Sequence, residues 1–276
     1  MGTENVDEHT IDVAGAPVFY RGGAADGTTV LYLHSVPTSS DDWLGLLART
    51  GGVAPDLPGF GRSSKAQALR YSLPGYADFL ENLIRSLQID EVSIVGHGWG
   101  AAVGLVYAQR HPERVTRLAI VDAVPLIGSF RWPPIARRWR RVGVGELLMG
   151  SVGKRTMARA LRSGTVAPGA WPPARVDAVW EQFDQGTQRA ILRLHRSADP
   201  AALAQAGAAL ETLSQPALIV WGERDPWLAP ELAHAYAARL SNSTVTLVPD
   251  AGHWPWLDAP AVLDQLAAFV CDPQPQ

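Results

Sequence analysis

The feature that most constrains this chain is the pentapeptide Gly96-His97-Gly98-Trp99-Gly100. Residues 93–95 before it indicate a buried strand, and residues 101–109 after it indicate a helix. A strand–turn–helix corner of the form G-x-X-x-G is typical of a nucleophile elbow, whose middle residue carries the attacking atom on a strained turn. The middle residue here is Gly98, which has no side chain. The sequence therefore predicts the scaffold of a covalent catalyst without its nucleophile.

Strands and helices alternate along most of the chain, which predicts an α/β fold. A hairpin is expected over residues 10–20, and further strands over residues 29–33, 53–55, 118–121, 217–221 and 244–248. Helices are expected over residues 76–87, 230–240 and 260–270. Because alternating elements of this kind place helices on both sides of neighbouring strands, we expect a mainly parallel sheet that is covered on both faces.

Several positions that could form a site lie at or just beyond the carboxyl ends of the predicted strands. They are His34, Gly98, Asp122, Asp225 and His253. Ligands of open α/β sheets bind beyond the carboxyl ends of the strands. The sequence therefore predicts one functional site at this edge of the sheet.

Residues 127–212 interrupt the alternation. They contain no clear buried strand and are rich in arginine, tryptophan and alanine. This composition indicates a helical insertion that lies as a cap over the site. The expected organisation is a core domain of residues 1–126 and 213–276 with a helical cap of residues 127–212.

Four further blocks accompany the pentapeptide in order along the chain. They are Leu33–Thr38, Asp56–Ser63, Trp221–Asp225 and Gly252-His253. Together with Gly-His-X-Trp-Gly after an apolar strand, they resemble the α/β-hydrolase superfamily. The chain is most similar to the branch of haloalkane dehalogenases and epoxide hydrolases, in which X is aspartate. The resemblance implies an eight-stranded, mainly parallel sheet with a helical cap inserted after the sixth strand.

The resemblance also implies roles for individual residues. His253 would be the general base, since an imidazole titrates near neutrality. Asp225 would orient His253 and stabilise its charged form. Asp122 is a rival for that acid, because some dehalogenases place it after the strand that follows the elbow; we favour Asp225. The backbone N–H groups of Trp99 and Val36 would form an oxyanion hole.

The chain departs from this branch at several positions. Haloalkane dehalogenases hold the halide with the tryptophan after the nucleophile, which Trp99 matches, and often with an asparagine at the position of Val36. Epoxide hydrolases of this branch use cap tyrosines, and residues 127–212 contain none. Ser35 replaces the usual glycine; its hydroxyl could face the site, but a hydrogen bond within its own loop is favoured. Both reactions also need the aspartate that Gly98 replaces, so neither activity is carried over intact.

The predicted cap contains aromatic side chains and one histidine that could reach the site. The aromatic residues are Trp132, Trp139, Trp171, Trp180 and Phe183. Most of them are expected to pack the cap onto the core, and one or two to line a largely apolar pocket. His195 is expected to have a structural role.

These observations leave several functions open. In the first, His253 and Asp225 activate a water held in the space that the missing elbow side chain vacates, and the water attacks an epoxide, ester or lactone. In the second, the same base and the oxyanion hole serve a lyase, cyclase or isomerase. The third is a ligand-binding protein without catalysis, and the fourth an engineered inactive variant. The retained base and acid favour an enzyme, and hydrolysis ahead of the other reactions.

Composition limits the expected partners. The 276 residues are 47% hydrophobic and 18% charged, with a net charge of −3. These values favour a globular protein and give no reason to expect nucleic acid or an acidic membrane as a partner. The resemblance implies a hydrophobic small-molecule substrate, and a monomer or homodimer is expected. The single cysteine, Cys271, and an acidic start without an apolar signal segment favour the cytoplasm. No cofactor and no metal ion are expected.

Overall fold

A single mainly parallel sheet forms the centre of the molecule. The computed structural model describes residues 6–24, 27–66, 69–128 and 130–272. The strands are β1 (Asp7–Val13), β2 (Ala16–Gly23), β3 (Thr29–Leu33), β4 (Gly52–Pro55), β5 (Val92–His97), β6 (Val115–Val121), β7 (Ala217–Gly222) and β8 (Ser243–Val248). They form one eight-stranded sheet in the order β1-β2-β4-β3-β5-β6-β7-β8. Only the pairs β1–β2 and β2–β4 are antiparallel. The predicted fold class is confirmed.

Helices pack on this sheet and connect its strands. They are α1 (Leu44–Thr50), α2 (Leu73–Ser86), α3 (Gly98–Arg110), α4 (Pro134–Trp139), α5 (Val144–Gly150), α6 (Lys154–Ser163), α7 (Pro173–Gln182), α8 (Gln185–Ser197), α9 (Pro200–Ala206), α10 (Glu231–Ala237), α11 (Pro255–Asp258) and α12 (Ala261–Cys271). Helix α2 packs against α3, and α1 packs against α12, so that helical layers cover both faces of the sheet. None of the helices in the described ranges is both long and apolar enough to span a bilayer.

Two helices begin earlier than their apolar periodicity predicts. Helix α2 begins at Leu73 because the Ser72 hydroxyl accepts a hydrogen bond from the Gly75 N–H at 3.3 Å, with Pro74 in the first turn. Helix α3 begins at Gly98 rather than at residue 101. The elbow position therefore belongs to the first turn of a helix.

The register of the central strands brings the candidate residues to one edge of the sheet. His97 at the end of β5 pairs with Val121 of β6, and Gly222 at the end of β7 pairs with Val248 of β8. All residues of β5 and β7 are buried. Because parallel strands in register end together, the loops that follow β3, β5, β6, β7 and β8 share one side of the molecule.

Between β6 and β7 the chain forms the helices α4 to α9, with no strand among the described residues 127, 128 and 130–212. We call this segment the insertion. Its treatment as a separate cap domain stays a prediction.

Candidate active site

The structure has the predicted strand–turn–helix corner, and its glycines lie close to neighbouring backbone atoms. Gly98 has a φ of +52°, in the left-handed region that disfavours side chains. A Cβ on Gly100 would lie 2.2 Å from the Leu33 carbonyl oxygen, and one on Gly96 would lie 2.5 Å from the Cα of Ala101. The flanking glycines therefore allow α3 to approach β3 and the end of its own strand.

His253 and Asp225 form the predicted pair. His253 Nδ1 lies 2.6 Å from Asp225 Oδ2, and both residues are buried. Asp225 Oδ1 also accepts hydrogen bonds from the backbone N–H groups of Trp227 and Leu228, at 2.8 and 3.1 Å. Burial raises the pKa of the Asp225 carboxyl, but the charge and hydrogen bonds of His253 and the backbone outweigh burial and hold it below its usual value. The carboxylate thus fixes His253 with Nε2 as its remaining ring nitrogen.

The backbone of His253 is held on two sides. Its N–H donates to the carbonyl oxygen of Gly164, just after α6 of the insertion, at 2.7 Å. Its carbonyl oxygen lies 2.7 Å from His97 Nε2. Burial holds the pKa of His97 well below its usual value, so the neutral ring donates this hydrogen bond from Nε2. This role could not be predicted from the sequence, in which His97 is one residue of the elbow pattern.

Asp122 lies beside this pair without bonding the histidine. It is fully buried after β6, and its Oδ1 accepts a hydrogen bond from the Gly222 N–H at 3.1 Å. Burial, followed by the charge of Asp225, holds the pKa of the Asp122 carboxyl well above its usual value, which favours the neutral acid. Asp225 rather than Asp122 therefore bonds His253.

Three side chains of a metal-ligating type have polar atoms within 4.8 Å of one another, those of Asp122, Asp225 and His253. The 2.6 Å separation of His253 Nδ1 and Asp225 Oδ2 is that of a direct hydrogen bond, which leaves no room for an ion between these two atoms. In the conformation described, the cluster is therefore a proton-bearing network rather than a cation site.

Ser35 differs most from its prediction. Its Oγ accepts a hydrogen bond from the backbone N–H of Trp99 at 3.2 Å, so the prediction of a bond within its own loop is wrong. A Cβ on Gly98 would lie only 2.2 Å from that Oγ. The space expected to hold a water is therefore filled by the serine hydroxyl.

The loop geometry explains this position of Ser35. The Ser35 carbonyl oxygen accepts hydrogen bonds from His34 Nδ1 at 2.7 Å and from the Thr38 hydroxyl at 3.0 Å. His34 Nε2 in turn accepts from the backbone N–H of Leu57 at 2.8 Å. These bonds turn the carbonyl of Ser35 away from the cavity and its side chain towards the elbow.

A cavity of about 470 Å³ opens above these residues, between the sheet edge and the insertion. Ser35, Val36, Trp99 and His253 all line it. Most of the remaining lining side chains are apolar. Four of the residues expected at the site thus share one mainly apolar cavity, whereas Gly98, Asp122 and Asp225 do not line it. A second cavity of about 470 Å³ between α2, α3 and α9 contains none of these residues.

The predicted cap aromatics divide into two groups. Trp132, Trp139 and Phe183 line the cavity, which is one more than expected. Trp171 and Trp180 do not, which corrects their assignment to the substrate pocket. Trp171 is fully buried against Trp254, with ring centroids 5.0 Å apart, and Trp180 stacks on Phe183 at 6.1 Å. Both pack the insertion rather than face the cavity.

His195 lies in an aromatic cage at the cavity wall. Its ring centroid is 5.1 Å from that of Trp99 and 5.2 Å from those of Trp132 and Trp139. Nδ1 is 2.8 Å from the carbonyl oxygen of Ile191, one turn earlier in α8. Burial lowers the pKa of His195 to about 4, so the ring is neutral at pH 7. A neutral ring with such a low pKa is a weak base.

Two tryptophans that the sequence did not single out flank the base. Trp227 and Trp254 contact the His253 ring edge-on, with centroids 4.9 and 5.0 Å away. Both line the cavity. Their positions beside Asp225 and His253 in the chain are the signal that could have identified them.

Comparisons with known proteins agree with this architecture. The chain matches the α/β-hydrolase fold family over residues 28–260 and belongs to it. It is 30% identical over 285 aligned positions to a haloalkane dehalogenase of Mesorhizobium japonicum, covering 94% of this chain and 90% of that protein. The crystal structure of haloalkane dehalogenase DbeA from Bradyrhizobium elkanii matches with a TM-score of 0.83 and 26% identity, over 96% of this chain and 98% of that one. The epoxide hydrolase CorEH shares the fold, with a TM-score of 0.82, 21% identity, and coverage of 96% and 98%.

Proposed function

We propose that this protein hydrolyses a small, largely apolar ester, lactone or epoxide, and that His253 is the general base that activates the attacking oxygen. The observation that carries this proposal is the position of the base. A Cβ on Gly98 would lie 3.6 Å from His253 Nε2. The base thus faces the point from which an elbow nucleophile would attack, at the wall of the cavity.

The simplest mechanism uses water. His253 Nε2 accepts a proton from the water as its oxygen attacks the substrate carbon, and Asp225 stabilises the resulting imidazolium. For an ester, the backbone N–H group of Val36 is a candidate donor for the oxyanion, and that of Trp99 is a second one once its hydrogen bond to Ser35 Oγ is released. The proton then passes from His253 to the departing alcohol. Because Ser35 fills the space beside Gly98, the water would approach from the cavity side.

Dehalogenation, the activity named for several relatives, is not proposed for this chain. It would require a carboxylate at the elbow, and Gly98 has none. A tryptophan at position 99 alone does not supply a nucleophile.

The test is a rate comparison across p-nitrophenyl esters, lactones and styrene oxide. We expect His253→Ala to lower kcat by about 10²–10⁴-fold, with substrate binding nearly unchanged. His234→Ala, which removes an exposed histidine of α10, is the matched control and should keep the full rate. An undiminished rate in His253→Ala would place the base elsewhere. Product formation without water incorporation would indicate a lyase, cyclase or isomerase, and tight binding without turnover would indicate a binding protein.

A further inference from the structure

The hydroxyl of Ser35 occupies the position from which the elbow side chain is missing. Its Oγ lies 2.2 Å from the point where a Cβ of Gly98 would stand, about as far as an aspartate carries its carboxylate oxygens. A side chain at residue 98 and the hydroxyl of Ser35 therefore exclude each other. Position 35 is serine where the resemblance implies glycine, and position 98 is glycine where the resemblance implies the nucleophile.

The surroundings of this oxygen are those of a catalytic hydroxyl. Ser35 is 2% exposed, and it lines the cavity. Its Oγ and His253 Nε2 both lie within 3.6 Å of the same point, the ideal Cβ position on Gly98. The Trp99 N–H, at 3.2 Å, donates to the oxygen and would stabilise negative charge that develops on it.

We propose that Ser35 is the nucleophile of this enzyme, supplied from the loop after β3 instead of from the elbow. This inference rests on the proposed hydrolysis and replaces water by Ser35 in its first step. In the structure the hydroxyl is bonded to the Trp99 N–H, so transfer of its proton to His253 requires Ser35 Oγ and His253 Nε2 to come within hydrogen-bond distance. Catalytic hydrogen bonds commonly tighten only when substrate is bound.

The reaction then has two steps whose atoms and protons balance. In the first, Ser35 Oγ bonds to the acyl carbon, its proton moves to His253 Nε2, and the bond to the alcohol breaks as that proton passes to the leaving oxygen. In the second, His253 takes a proton from a water that attacks the acyl carbon. The bond to Ser35 breaks, and the proton returns to Oγ.

This chemistry narrows the substrate class. Attack of a serine oxygen on an acyl carbon gives an ester, which water can hydrolyse in the second step. Attack on an epoxide carbon would give an ether, which the same base cannot hydrolyse. The enzyme should therefore turn over esters or lactones, and should not turn over epoxides.

The decisive experiment is covalent trapping, which does not depend on turnover. The probes are diethyl p-nitrophenyl phosphate and p-nitrophenyl butyrate, followed by intact-mass analysis and peptide mapping. We expect a single adduct on Ser35 in the wild type, and none in Ser35→Ala or His253→Ala. Ser93→Ala is the matched control, because this buried serine of β5 bonds Thr116 away from the cavity. It should label like the wild type, and circular dichroism should confirm that each variant folds.

Two further measurements separate this inference from the proposed function. Ser35→Ala should lower ester hydrolysis by roughly 10³-fold or more. In Ser35→Cys, iodoacetamide should alkylate residue 35, and the added change His253→Ala should slow that alkylation. Absence of an adduct at Ser35 overturns the inference. If Ser35→Ala then hydrolyses esters at the full rate and His253→Ala does not, the proposed hydrolysis survives with water as the direct attacker.

Discussion

A double-mutant cycle between Gly98 and Ser35 tests the steric exclusion at the elbow through stability alone. Gly98→Ala places a Cβ at a φ of +52°, which costs about 1–2 kcal/mol. The same Cβ would lie 2.2 Å from Ser35 Oγ and 2.8 Å from Ser35 Cβ. Such overpacking adds about 1–3 kcal/mol. The single variant should therefore lose about 2–5 kcal/mol of stability, or about 2–4 °C of melting temperature for each kcal/mol.

Ser35→Gly removes the atoms that overlap but leaves the backbone of Gly98 unchanged. Alone it should cost about 0.5–1 kcal/mol through backbone entropy. It should cost about 1–3 kcal/mol more because the Trp99 N–H loses its hydrogen-bond acceptor. In the double variant with Gly98→Ala, the overlap with Ser35 is absent, so its destabilisation of about 1–3 kcal/mol should disappear. The double variant should therefore be more stable by that amount than the sum of the two single changes predicts. The assay is urea denaturation of the wild type, both single variants and the double variant, followed by circular dichroism.

Two glycines of this chain provide matched controls. Gly15 has a φ of +82° with no atom within 4 Å of an added Cβ, so Gly15→Ala measures backbone strain without overlap. Gly150, the last residue of α5, is outside the left-handed region and has equally open surroundings, so Gly150→Ala should not destabilise the fold. If Gly98→Ala costs no more than Gly15→Ala, or if the cycle is additive within about 0.5 kcal/mol, Ser35 does not occupy the space beside the elbow.

Four further changes test titratable groups at the site and at Asp42, which lies in the turn of residues 40–43 before α1. Asp225→Asn should lower kcat by as much as about 10⁴-fold, whereas Asp122→Asn should leave it nearly unchanged, because an amide resembles the neutral acid; the reverse result would reassign the acid. Burial raises the pKa of Asp42 from 3.8 to about 6. A carboxyl with a raised folded-state pKa stabilises the fold below its unfolded pKa and loses that contribution as the pH rises through the folded value. The wild type should therefore lose up to roughly 3 kcal/mol of stability between about pH 4 and pH 6, and Asp42→Asn should not show this loss. Urea denaturation at several pH values measures it. His195→Phe should change KM more than kcat, since His195 lines the cavity but is neutral at pH 7; a loss of kcat as large as that of His253→Ala would make His195 the base.

The sequence predicted those parts of the site that follow from the order of strands. Asp225 and His253 come after parallel strands, and strands in register end at one edge, so their meeting could be expected without coordinates. The elbow could be recognised for a similar reason, because the glycines around residue 98 are imposed by close backbone packing. These features depend on backbone topology, which can be predicted from the order of strands and glycines in the sequence.

The parts that the sequence missed depend on where a side chain points. The hydrogen bond from Trp99 to Ser35 joins residues 64 positions apart, and it exists because His34 and Thr38 fix the Ser35 carbonyl. The separation of Trp171 from the cavity-lining Trp132 likewise depends on how the insertion helices pack. Residue type alone could not distinguish these two tryptophans, since both positions are apolar and buried.

The backbone of His253 is hydrogen-bonded to two parts of the protein, the insertion and the central sheet. Its N–H is bonded to Gly164 of the insertion, and its carbonyl to His97 at the end of β5. Any opening motion that lifts Gly164 must break the first bond and free the histidine on that side. Displacement of Gly164 and the present backbone position of His253 are thus coupled. Amide hydrogen exchange at His253 would report the opening directly, as a local event whose rate sets how often the catalytic geometry is lost.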